Sequence, residues 1–156
     1  MPKRVWRLSK AFFRVEDLPL DVLARQAVGD DPQLVDAGIG VLEILHRHGR
    51  AEAGVFLVGL LACSGDDWKR RERVVRALRG FAHPGLVQFL CDELRRVKGS
   101  NKTRRYLNAI LEVLQSMPAE LVRDALRELA EDRSLSRRMR QKAEQAFWAV
   151  VVRSED

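Results

Sequence analysis

Apolar residues recur at helical spacing along most of the chain, between short polar connections. Val35, Ile39 and Leu42, for example, share one face of a segment that follows Asp31-Pro32 and ends at Gly49. Asp can accept hydrogen bonds from the first N–H groups of a helix, and Pro is tolerated in its first turn, so this pattern predicts a helix. No segment alternates apolar and polar residues as a half-buried strand would, and the sequence therefore predicts an all-α fold.

The same start and stop signals recur further along the chain. Gly65-Asp66-Asp67 and Gly99-Ser100-Asn101 provide breaks and caps, and Ser134 or Ser136 is expected to cap a last helix that ends near residue 152. The other predicted helices cover about residues 20–28, 53–62, 68–81, 86–94, 106–114 and 121–129. Helix pairs restart near Leu18, Ala53, Leu86 and Leu121, at steps of 33 to 35 residues. A constant step of this size is typical of stacked repeats.

Three features resemble those of a known family. They are the period of the helix pairs, the prolines Pro19, Pro84 and Pro118 near the starts of units, and the apolar second helices. Examples of such helices are Val74-Val75-Arg76-Ala77-Leu78 and Leu107-Asn108-Ala109-Ile110-Leu111. In these features, residues 18–152 resemble the HEAT-like α-helical repeat family.

The resemblance implies a short right-handed α-solenoid of about four antiparallel helix pairs. A tetratricopeptide array has nearly the same period, but its Trp-x-x-Leu-Gly-x-x-Tyr pattern is missing. It is the second alternative, and a simple helical bundle is the third.

The chain divides into an N-terminal arm (residues 1–17), the helical-repeat domain (residues 18–152) and a short C-terminal tail (residues 153–156). The arm combines basic residues with Trp6, Phe12 and Phe13. We expect it to cover the open end of the first helix pair, because a terminal repeat needs such a cap. Insertion into the headgroup region of an anionic membrane is the alternative.

The net charge of +6 is unevenly distributed. Residues 1–15 hold five bases and no acid, residues 16–67 hold three bases and ten acids, and residues 68–156 hold twenty bases and twelve acids. A uniformly basic chain would favour nucleic-acid binding. This distribution permits contacts with an acidic protein as readily.

The basic residues of the second half cluster where second helices begin. Positive charge works against the helix macrodipole there, so helix stabilisation does not explain the placement. Stacked in register, the clusters would form a ladder along one edge that binds an anionic partner. The alternative is that these basic residues lie on an ordinary solvent-exposed face, near acids of neighbouring helices, and bind no partner. The candidate binding residues are Lys69, Arg70, Arg71, Arg73, Lys102, Arg104, Arg105, Arg137, Arg138 and Arg140.

The last predicted helix carries apolar side chains all round between residues 146 and 152. A terminal repeat ordinarily has a polar outer face. We therefore expect either the arm or a partner to cover Trp148 and Val152, and a second copy of the chain would make a homodimer. A single exposed aromatic at an edge, which is common in monomers, is the alternative.

Signals of catalysis are absent from the sequence. His46 and His48 are two positions apart and so point to different helix faces, and Cys63 and Cys91 match no metal-ligand spacing. No nucleophile motif or cofactor-binding motif is present. We predict a protein that is not an enzyme and uses no cofactor or metal.

The absence of two sequence features indicates the cellular compartment. The first residues lack an uninterrupted apolar core of a signal peptide, and no apolar run approaches the roughly 20 residues needed to span a bilayer. We expect a cytoplasmic protein. The functional prediction is a scaffold or adaptor module that binds an acidic or extended protein partner through a basic surface. Binding to the backbone of DNA or RNA is the alternative.

Overall fold

The computed structural model describes residues 20–155, and this part of the chain contains eight α-helices and no β-strand. The helices are α1 (Leu20–Ala27), α2 (Pro32–Arg47), α3 (Ala51–Ala62), α4 (Trp68–Ala77), α5 (Pro84–Arg96), α6 (Arg104–Ser116), α7 (Ala119–Glu131) and α8 (Arg137–Glu155). The predicted all-α class is confirmed. The predictions for the arm of residues 1–17 fall outside the described residues.

Local capping explains where several helices begin. The Asp31 carboxylate accepts a hydrogen bond from the backbone N–H two residues later, at 3.0 Å. Asp67 and the Ser136 hydroxyl each accept one from the N–H three residues later, at 3.1 Å. Each bond satisfies one of the N–H groups that a helix start leaves without an intrahelical acceptor. The starts of α2, α4 and α8 therefore agree with the capping signals in the sequence.

Two helix ends differ from the predicted ones by three residues or more. α4 ends at Ala77, and the chain then turns through Gly80 at φ +89°, so Phe81 lies beyond the helix. α8 continues to Glu155, three residues past the predicted end. The spacing of apolar residues locates neither end. The glycine turn after α4 and the polar last turn of α8 do not change the pattern of apolar residues that precedes them.

The described residues form two compact units that divide after Leu78. The first unit holds α1 to α4. In it, α1 packs closely on α2, where a Cβ at Gly38 would lie only 3.0 Å from the Ala27 nitrogen and 3.1 Å from the Leu23 oxygen. A larger side chain would push the two helices apart, so glycine permits this approach. α2 also contacts α3 and α4.

The second unit holds α5 to α8, and in it α6 and α8 lie side by side. Near the start of both helices, Lys142 donates a hydrogen bond to Asn108 at 2.6 Å. Near their ends, Arg153 donates to the backbone oxygens of Gln115 at 2.7 Å and Met117 at 2.6 Å. Because early residues pair with early ones and late with late, α6 and α8 run parallel. Their N-termini therefore lie at the same end of the unit.

The other helices of the second unit complete its core. α5 packs on α6 and on α7, and α7 packs on α8. Tyr106 of α6 is fully buried, and its hydroxyl donates to the buried Glu93 carboxylate of α5 at 2.5 Å. The same carboxylate accepts from Arg96 at 2.8 Å. A buried charge with these partners is tolerated because its oxygens are hydrogen-bonded.

Candidate functional site

A cleft of about 640 Å³ lies within the second unit, beside the turn that links α5 to α6 and the turn that links α7 to α8. Six of its lining residues are cationic, and none is Asp or Glu. The cations are Arg95, Arg96, Lys98, Arg104, Arg138 and Lys142. Hydroxyl and amide groups of Ser100, Asn101, Asn108, Ser134 and Ser136 complete the polar lining. The cleft thus combines positive charge with hydrogen-bond donors.

The loop before α6 is held by its own side chains. Thr103 is buried, and its hydroxyl accepts a hydrogen bond from the Ser100 N–H at 2.9 Å and donates one to the Lys98 oxygen at 2.8 Å. These two bonds fix the backbone that carries Lys98 and Ser100 to the cleft. The Thr103 side chain makes no capping bond to α6, because it is used within the loop.

Three of the lining cations, Arg104, Arg138 and Lys142, lie on the neighbouring helices α6 and α8. The bond between Lys142 and Asn108 joins α8 to α6, and Arg138 and Arg104 each lie one helical turn closer to the N-termini. No carboxylate among the described residues pairs with Arg104, Arg138 or Lys142. Burial lowers the pKa of Lys142, and the positive charges of Arg138 and Arg104 lower it further. Arg104 and Arg138 therefore lie close enough to Lys142 to oppose its protonation.

The remaining arginines of the cleft are paired with acids. Arg95 lies 2.8 Å from Asp132, which raises the pKa of the arginine, and Arg96 lies 2.8 Å from Glu93. The Arg95–Asp132 pair links the last turn of α5 to the turn between α7 and α8, whereas the Arg96–Glu93 pair lies within α5. The uncompensated charge is consequently concentrated on Lys98, Arg104, Arg138 and Lys142, of which the last three lie on α6 and α8.

The second unit brings together only part of the predicted basic surface. Arg104 and Arg138 line the cleft, whereas Lys102, Arg105 and Arg137 are exposed outside it. Arg140 is half-buried and also lies outside the lining. Successive helical residues point in different directions, so neighbours in sequence separate at this site.

The structure corrects the prediction that Arg71 belongs to an exposed basic surface. It is only 3% exposed, and its guanidinium donates hydrogen bonds to the backbone oxygens of Leu61 and Gly65, each at 3.0 Å. It lies 5.8 Å from the centre of the Trp68 ring. Arg71 is therefore a buried residue that stabilises the end of α3 and the turn into α4, and not part of an exposed anion-binding surface.

The other candidates of the first unit are largely occupied by internal contacts. Arg73 pairs with Asp36 at 2.9 Å and with Glu43 at 3.0 Å, and Arg70 donates to the Gly29 oxygen at 3.3 Å. Only Lys69 of this cluster is fully exposed. Two acids of α2 thus neutralise the charge of Arg73.

Sequence reasoning missed several lining residues. Lys98, Asn101 and Asn108 line the cleft, although their segments were interpreted only as a helix break and an apolar helix. The signal that could have identified Lys98 and Asn101 is the run Arg95-Arg96-Val97-Lys98-Gly99-Ser100-Asn101, in which bases precede a loop rich in donors. The packing of α6 beside α8 is what brings the loop between α5 and α6 to the same cleft as Arg138 and Lys142.

Comparison with known proteins identifies no relative. The chain matches no protein-family model, no curated protein and no solved structure. The interpretation of the cleft consequently depends on its own residues.

Other chemistry-bearing groups lie apart from the cleft lining. Burial raises the pKa of the Cys91 thiol to about 11, which keeps it protonated, and Cys63 is exposed. Among residues 20–155, no group of three or more His, Cys, Asp or Glu side chains is arranged to hold a metal ion. No helix in the same range is long and apolar enough to cross a membrane. Trp148 and Val152, the candidates for self-association, are 56% and 58% exposed.

Proposed function

We propose that this protein is a non-catalytic binding module whose basic cleft takes an acidic, extended segment of a partner protein. The observation that carries this proposal is the convergence of Arg104, Arg138 and Lys142 from two helices on one concave site without a lining acid. Complementary charge of this kind steers a partner and selects its sign. In the cell, such a module would act as a scaffold or adaptor in the cytoplasm.

The proposed architecture is a stack of HEAT-like helix pairs wound as a right-handed α-solenoid. Within each unit, polar contacts join residues about one repeat apart. Arg73 and Asp36 are 37 positions apart in the first unit, as are Arg95 and Asp132 in the second. Lys142 and Asn108 are 34 apart. Equivalent helices of successive pairs lie side by side in a solenoid, so contacts at this spacing support the proposal.

An acidic segment suits the cleft better than a nucleic acid does. No Trp, Tyr or Phe lines it, whereas proteins that bind single strands commonly stack bases on aromatic side chains. The lining instead offers hydroxyl and amide groups between the cations, and these can bind both carboxylates and peptide groups. The lining contains no His, Cys, Asp or Glu that could move a proton, and this supports a binding role.

The test is a fluorescence-anisotropy titration of a labelled peptide rich in Asp and Glu. We expect the double substitution Arg104→Glu with Arg138→Glu to weaken binding by at least about tenfold, because two attractive charges become repulsive. The matched control is Lys102→Glu with Arg137→Glu, which changes the net charge equally at exposed positions outside the cleft. The control should change the affinity by less than about threefold.

Three outcomes would overturn the proposal. Equal losses in both double variants would mean that long-range attraction, and not the cleft, binds the peptide. The absence of peptide binding at low salt would remove the acidic partner. Tight binding of duplex or single-stranded oligonucleotides, with steep salt dependence and no peptide binding, would favour the nucleic-acid alternative. Thermal melting of each variant verifies that it is folded.

A further inference from the structure

The positive charge in the cleft exceeds what one carboxylate can neutralise. Arg104, Arg138 and Lys142 have no acidic partner among the described residues, and they lie close enough together for Arg138 and Arg104 to oppose protonation of Lys142. A Glu or Asp side chain carries one negative charge. A phosphate monoester carries about −1.5 to −2 at pH 7 and three strong acceptor oxygens. It therefore balances the cluster more completely.

The donors approach the cleft from two directions. Arg104 is the first residue of α6, and Arg138 is the second residue of α8. The first turn of each helix contains no acid, and α6 has no side-chain cap at its start. Because the two helices run parallel, the positive ends of both macrodipoles lie at the same end of the unit as these cations. An anion there would meet guanidinium and ammonium groups beside the positive ends of two helices.

The lining also offers hydrogen-bond donors and room for a phosphorylated side chain on a peptide. The hydroxyl of Ser136 and the amide of Asn101 are donors on the two loops. The volume of about 640 Å³ is far larger than a single anion needs, so flanking residues of an extended segment have room beside it.

From this geometry we propose that the cleft recognises a phosphoserine or phosphothreonine within an acidic segment, with Arg104, Arg138 and Lys142 as its phosphate-binding residues. The inference rests on the proposed function and specifies its ligand. Arginine pairs with phosphate through two parallel hydrogen bonds, and such charge-assisted bonds are stronger than neutral ones.

The test compares three labelled peptides with identical acidic flanks and a central Ser, phosphoserine or Glu. We expect the phosphoserine peptide to bind at least about tenfold more tightly than the Ser peptide, with the Glu peptide between them. A tenfold change is the effect of about one additional hydrogen bond to a charged group. Inorganic phosphate at millimolar concentration should displace the phosphoserine peptide.

A pair of variants tests the location of the site. Arg104→Gln with Arg138→Gln should abolish the preference for phosphoserine, and Lys102→Gln with Arg137→Gln should retain it. Retention of the preference in the first variant would overturn this assignment of the phosphate-binding residues.

The remaining outcomes separate the inference from the proposed function. Equal affinity for the three peptides would overturn the phosphate inference while the acidic-segment function stands. No binding of any peptide would overturn both. Binding of an oligonucleotide in preference to the phosphoserine peptide would also overturn the inference, since the phosphates recognised would then be those of a nucleic-acid backbone.

Discussion

At the scale of single residues, similar basic positions have different environments. Arg71 and Arg138 both lie in the first turns of basic helices, yet Arg71 is buried against backbone oxygens and Arg138 lines a cleft. Arg73 is neutralised by Asp36 and Glu43. The partner that each guanidinium finds, and not its position relative to the helix start, decides whether it can bind a ligand.

Arg71→Ala should lower the free energy of unfolding by about 2–3 kcal/mol, because the buried guanidinium that bonds to the oxygens of Leu61 and Gly65 is lost. Urea denaturation measures the change. Lys69→Ala is the control at an exposed position of the same helix turn, and it should change stability by no more than about 0.5 kcal/mol. Similar losses in both variants would contradict the structural role of Arg71.

At the scale of the elements, the turn between α7 and α8 is tied to α5 through Asp132. The Ser134 hydroxyl donates to this carboxylate at 2.6 Å, and Arg95 donates to it at 2.8 Å. Ser134 and Arg95 together lower the pKa of Asp132 to about 2 from its ordinary 3.8. The ionised carboxylate therefore holds one side of the cleft against the last turn of α5.

The stability that ionised Asp132 contributes should depend on pH. The pKa of Asp132 is about 2 in the folded protein and 3.8 in its ordinary state. The stabilisation by the ionised carboxylate is therefore complete above pH 3.8 and is lost as the pH falls to about 2. Asp132→Asn lacks this titration. The difference in thermal midpoint between wild type and Asp132→Asn should therefore shrink as the pH is lowered through this range, and a constant difference would contradict the assignment.

At the scale of the whole molecule, exposed apolar side chains occur in both units. Trp148 and Val152 lie on α8 of the second unit, one helical turn apart, and Val55 lies on α3 of the first at 64% exposure. Contiguous apolar patches are typical of surfaces that contact another protein, whereas single exposed apolar side chains are also common on monomers. The prediction of self-association through α8 stays a prediction, and it has a direct test.

Trp148→Glu should convert a dimer to a monomer, because a dimer interface would have to bury the introduced charge. Light scattering coupled to size-exclusion chromatography measures the mass. Val55→Glu is the matched control, since it places the same charge on an apolar side chain of similar exposure in the other unit. A wild-type monomer, or a dimer that resists Trp148→Glu, would contradict the prediction.

The sequence by itself determined the helical class, most helix boundaries and the period of the pairs, because caps and apolar spacing act between residues a few positions apart. It also identified Arg104 and Arg138 among its candidates. The tertiary structure alone decided that Arg71 is buried, that Arg73 is neutralised by α2, and that Lys98 and Lys142 join the cleft. These outcomes depend on contacts between residues 30 or more positions apart, or on which face of a helix is covered, and no local pattern specifies either.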